Sequence, residues 1–311
     1  MTFSFSNFAS NLQAGQPISS DEVLAARRWA WSDGGISPAE AETIMDMNRL
    51  NPAPSPEWAD FFVEALAEFV VNRLQPRGYV DDGNAAWLMA QIDRDGRLET
   101  YTELELLVKV LETALNAPPA LKDYALRQIE QAVITGEGPT RRGGSISPRV
   151  VDEAEVALLR RILFASGGEG ALTVSRHEAD LLWRIKDATL GAANAPGWKT
   201  LFVQGVGNHL MAYSSYKPLE QNEAERLERF MNDHRVSVGG FLGRMVSSLS
   251  DRHSRREAPE EAAQDRQAAI AASLAITPAE AAWLKQHHEA DGVLDPLEQA
   301  LLEFVADESR Q

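Results

Sequence analysis

The chain has 311 residues, 44% hydrophobic and 24% charged, which is ordinary globular composition. Its formal net charge of −16 argues against a nucleic-acid partner, because phosphates must be met by a basic surface. There is no cysteine, which excludes disulfides, thiol catalysis and cysteine-ligated zinc or iron–sulfur centres.

In chain order, residues 1–17, MTFSFSNFASNLQAGQP, lack a basic stretch followed by an apolar one and read as an N-terminal arm, not a signal peptide. From Ile18 the chain repeats a unit of helix, short loop and helix. Its helices open with an aliphatic residue, then Ser, Thr or Asp, often Pro, then an acidic residue, the pattern of an N-cap and first turn. The first copy, Ile18–Met47, turns at Asp33-Gly34. A helix over Pro56–Leu74 follows, with Trp58, Phe61, Phe62, Leu66, Phe69 and Val70 on one apolar stripe. The second copy, Tyr79–Leu111, turns at Asp95-Gly96, and one more helix spans Pro119–Ile134.

The Gly-rich segment Thr135–Ser145 reads as a link. The third copy, Ile146–Ile185, turns at Gly167-Gly168, where GGEGA acts as a helix terminator. The next helix, Gly197–Tyr213, is a counterpart of Pro56–Leu74: APGWKTLFV repeats SPEWADFFV, with Trp198, Phe202 and Val203 in register with Trp58, Phe62 and Val63. A fourth, irregular copy covers Leu219–Leu249 around Asp233. Ser250–Gln267 has a basic block, a Pro and an acidic block, and reads as a flexible linker. The fifth copy, Ile276–Val305, turns at Asp291-Gly292, and its AAWLKQHHEADGVL repeats AAWLMAQIDRDGRL of Ala85–Leu98.

The expected fold is all-α, built of two duplicated halves, 18–138 and 146–249, flanked by the arm 1–17 and the linker 250–267. The C-terminal unit, 276–306, is too apolar to stand in water and is expected to dock on the second half, where its tether keeps the effective concentration high.

Paired helix–loop–helix units carrying DxDGxL resemble the EF-hand, and the DG-aliphatic turn followed by a capped helix is also similar to TerB-like helical proteins. The EF-hand resemblance implies calcium held by oxygen ligands at loop positions 1, 3, 5, 7, 9 and 12 around a Gly at 6. With Gly292 at the sixth position, the ligands would be Glu289, Asp291, the Val293 carbonyl, Asp295 and Glu298, while His287 at the first suits a hard cation poorly. With Gly96 at the sixth, Asp93, Asp95 and Glu99 form the next set, but Thr102 stands where a bidentate Glu belongs and Glu103 is one residue off. Around Gly34 the first and third positions are Trp29 and Trp31, which bind no cation. Asp-Gly is also an ordinary turn pair, and acidic residues after the loop also cap the next helix. Glu40 and Glu178, at equivalent repeat positions, fit capping better than acid–base catalysis.

All six histidines lie in the second half and read as surface residues without metal-site spacing. No nucleophile elbow, phosphate loop or dinucleotide fingerprint occurs, so an enzyme is not expected. No apolar run approaches the roughly 18 residues of a membrane span. The expected function is a non-catalytic, cytoplasmic binding or regulatory protein that presents helical grooves to an unidentified protein partner, with homo-oligomers allowed. The alternative is a calcium or other divalent-cation sensor or buffer.

Overall fold

The computed structural model describes residues 18–31, 35–51, 54–93, 98, 100–141, 147–167, 173–212, 278–289 and 295–308. The arm 1–17, the fourth copy, the linker 250–267 and the turns Asp33-Gly34, Asp95-Gly96 and Asp291-Gly292 lie outside the described residues. The described chain is helical. Its elements are α1 (Ser20–Ala30), α2 (Pro38–Leu50), α3 (Pro56–Glu68), α4 (Asp82–Ile92), α5 (Tyr101–Thr113), α6 (Pro119–Thr135), α7 (Glu153–Leu163), α8 (Arg176–Ala188), α9 (Pro196–Ala212), α10 (Pro278–Glu289) and α11 (Pro296–Glu308). Among the described residues there is no strand, only an isolated bridge between Tyr79 and Asn116. The helix expected over Pro56–Leu74 is α3 continued by a π turn, Phe69–Arg73.

Helix starts follow from the sequence pattern. Ser19 with Glu22, Ser37 with Glu40, Thr100 with Glu103 and Ser175 with Glu178 each form a capping box, the cap side chain taking the N3 amide and the glutamate taking the cap amide. Asp152 with Glu155 and Asp295 with Glu298 make the same reciprocal bonds with an aspartate at the cap. Such caps satisfy amides that the first turn leaves unpaired, at about 1 kcal/mol each. Glu40 and Glu178 therefore serve as cap partners.

The chain forms two compact units, residues 1–150 with 157–171, and residues 151–156 with 172–311. In the first, α3 is the central helix and packs against α1, α2 and α5, while α6 lies against α4 and α5. Trp58, Phe61, Phe62, Leu66 and Val70 are all fully buried. A buried polar pair ties this core together: Asn48 accepts from Trp58 Nε1 at 3.2 Å and donates to Thr100 Oγ1 at 3.4 Å. Phe69 packs edge-on against Trp87, with centroids 5.5 Å apart. Gly167 donates its amide to the Leu111 carbonyl at 2.9 Å, and a Cβ there would stand 2.6 Å from that same oxygen, so only glycine fits.

In the second unit α9 packs against α8 and α11. Trp198, Leu201, Phe202, Val206 and Leu210 form its buried face. Phe304 of α11 lies so close to the backbone of Gly207 that a Cβ there would overlap its ring. Val174 donates its amide to Asn208 Oδ1 at 2.7 Å, which fixes the entry to α8 against α9.

Candidate functional site

The densest chemistry in the described chain lies where α8 and α9 meet the C-terminal helices α10 and α11. The Ser175 cap sets the start of α8. Asp180, Trp183 and Lys186 then recur at three-residue spacing and climb one side of the helix. From α10 come Trp283 and His287, one turn apart. From α9 comes His209, and from the start of α11 come Asp295 and Glu298.

Lys186 is 1% exposed. Its ammonium stands 2.7 Å from Asp295 Oδ2, 2.5 Å from Glu298 Oε1 and 2.8 Å from Asp187 Oδ1. It also lies 4.9 Å above the Trp183 ring, within cation–π range. Burial alone would favour neutral lysine. The hydrogen bonds to Asp187, Asp295 and Glu298 outweigh it and hold the ammonium well above its usual range. Burial works equally against the Asp295 carboxylate, yet the Lys186 bond and the amides of Glu298 and Leu297 bring its pKa below the ordinary value. Lys186 and Asp295 are thus charged together, and neither is stable in the interior without the other.

Trp183 touches Trp283 edge-on at 5.5 Å and His287 at 4.8 Å. Asp180 Oδ1 accepts from Trp283 Nε1 at 2.7 Å and faces His287 Nε2 at 3.0 Å. On the inner side His209, 4% exposed, has Nδ1 3.1 Å from the Val174 carbonyl and its ring 5.1 Å from Trp283. Burial pushes His209 below the usual histidine range, so it is neutral near pH 7.

Of the residues expected to hold calcium, the structure describes the side chains of Asp93, Asp295 and Glu298. Asp295 and Glu298 come together, but as the cap of α11, with the Lys186 ammonium as their cation. Asp93 is the C-cap of α4. Asp95, Glu99, Asp291 and Val293 lie outside the described residues, as does the side chain of Glu289 at the end of α10. Among the described residues no group of three or more His, Asp and Glu could hold a metal ion. The expectation of surface histidines fails at His209, which is buried, and His287 is partly buried against Asp180.

Lys186, Asp180 and His209 were not singled out by sequence patterns for any role here. The signal for Lys186 was present: it follows the cap Ser175 by the same number of residues as Asn48 follows the cap Ser37. Its buried partners Asp295 and Glu298 are over a hundred positions away, which no local pattern reveals. What the arrangement does chemically is clasp: ion pairs, ring contacts and one buried imidazole join α10 and α11 to α8 and α9. No protein-family profile matches the chain, and neither does any curated protein or solved structure.

Proposed function

We propose that this is a non-catalytic binding or regulatory protein that presents helical surfaces to a protein partner. The observation that carries this reading is α1, which is apolar on two faces. Val23, Ala26 and Ala30 point into the core. Leu24 and Trp31, two turns apart on another face, are 46% and 42% exposed, with exposed Arg28 between them. Trp31 is braced edge-on against Phe61 at 6.2 Å, so the surface is preformed. Large apolar side chains on a firmly capped helix mark a contact surface, and Trp and Arg are the types that dominate binding energy.

The two units are, in this reading, copies of one plan. Support comes from parallel contacts: a buried polar residue late in α2 or α8 reaches the cap of α5 or α11, and Phe69 on Trp87 parallels His209 on Trp283. The cation-sensor alternative has weaker support, since Asp295 and Glu298 already neutralise Lys186.

Capture of partners from native lysate by the full chain, with and without chelator, tests the proposal. Wild type is expected to retain specific proteins that Leu24→Ser, Trp31→Ser loses, with chelator making no difference. Identical capture by both forms would overturn it, and dependence on the chelator would favour the cation sensor.

A further inference from the structure

We propose that His209 is a proton-operated latch, whose protonation releases the helix Pro278–Glu289 from α8 and α9 while both units stay folded. This device stands whether or not a partner binds α1. The geometry is that of a buried titratable ring at a joint. His209 is 4% exposed on α9 and its Nδ1 faces the Val174 carbonyl ahead of α8. Its ring meets Trp283 of α10 at 75°. One imidazole therefore joins three segments.

Packing does not demand histidine here. In the first unit the same edge-on contact is made by Phe69 against Trp87, at 5.5 Å and 61°. What histidine adds is a proton site. The charged groups around it are Glu280 of α10, Asp180 and Arg176 of α8; the two carboxylates favour the imidazolium and the guanidinium opposes it. Burial exceeds the combined pull of the Val174 carbonyl and the two carboxylates, so docking holds the ring neutral. Once α10 leaves, the imidazole is more open to water and takes its proton in the ordinary histidine range. The released form then binds one more proton, so docking weakens as pH falls through that range. The docking equilibrium then drops by up to about tenfold per pH unit until the docked ring also protonates. Neutral His209 can donate from only one nitrogen, which its bond to Val174 already uses.

The chain lacks cysteine, so a spin-label pair at Lys199→Cys on α9 and Ala282→Cys on α10, both exposed, reports docking without background. In the full-length protein the label distance is expected to be single and short at pH 7.5. It should broaden progressively toward pH 5.0, with helix content by circular dichroism unchanged. In His209→Phe and in His209→Gln, which keeps a donor for Val174, the short distance should persist across the range. A label distance that does not respond to pH in wild type overturns the proposal. So does the same response in both variants, or loss of helix content over the same pH range.

Discussion

The two units set similar contacts in opposite chemistry. In the first, Asn48 bridges Trp58 and Thr100, and Phe69 backs Trp87. In the second, Lys186 grips Asp295 and Glu298, and His209 backs Trp283. Neutral hydrogen bonds contribute modestly and ignore pH. A buried ion cluster is high-stakes: complete, it specifies one arrangement, and broken, it strands a charge in the interior. The lysine also has a local cost. Asparagine offers Trp58 an acceptor, whereas lysine has none to offer, and Trp198 Nε1 is buried without a hydrogen-bond partner among the described residues.

The largest expected effect comes from removing the cation. Lys186→Ala leaves two buried carboxylates facing each other and should cost about 3–5 kcal/mol in urea unfolding. Asn48→Ala, by contrast, should cost about 1–3 kcal/mol, the range for leaving buried neutral partners unsatisfied. Writing the first unit's residues into the second, as Lys186→Asn with Asp295→Thr, should recover most of the loss. A double variant no better than Lys186→Ala would break the parallel.

The tryptophans are of comparable size. Truncating Trp58 or Trp198 to alanine should cost about 3–5 kcal/mol each, because both are fully buried. Replacement by phenylalanine separates them. Trp58→Phe orphans the Asn48 carbonyl at about 1 kcal/mol beyond the lost packing, while Trp198→Phe removes a donor that had no partner. Equal costs in thermal melts would contradict the assigned bonding.

Acid should discriminate between the units more gently. Asp295 has a folded pKa below its unfolded value, so its contribution is fully present above about pH 4 and is lost as pH falls through the folded value. Lys186 has the opposite sign, with a contribution present below about pH 10.5 and lost only at still higher pH. Hydrogen exchange between pH 3 and pH 7 should therefore show protection at α11 falling before protection at α5. Simultaneous loss would mean that the ion cluster does not set local stability.

The smallest expected effect is from calcium. Titration calorimetry on wild type should give no saturable heat, since Lys186 occupies the carboxylates of Asp295 and Glu298. Saturable heat that vanishes in Asp291→Ala, Glu298→Ala would reverse that reading.

Much of the helical fold was legible in the sequence. Ser37–Glu40 and Ser175–Glu178 announce helix starts, and the stripe from Trp58 to Val70 announces the central helix, because both signals are local and periodic. The clasp was not legible. A lysine on a helix reads as solvated until its partners are known, and the buried carboxylates of Asp295 and Glu298 lie on the far side of residues 213–277 in the sequence. Glu298 illustrates the ambiguity best. Its place in the loop suits a bidentate calcium ligand, yet it is also the N3 residue of a capping box, as Glu103 is in α5. The one-residue mismatch at Thr102 reflects that shared role, for the glutamate keeps step with the helix cap and not with the loop.

Gly207 gives the second unit a keyhole. Since α11 seats Phe304 where any side chain would project from that position, one added methyl is a wedge between two helices. Gly207→Ala would leave every charge, ring and cap in place and still deny α11 its seat. It offers a form of the protein locked ajar by shape alone, against which any opening driven by protons can be measured.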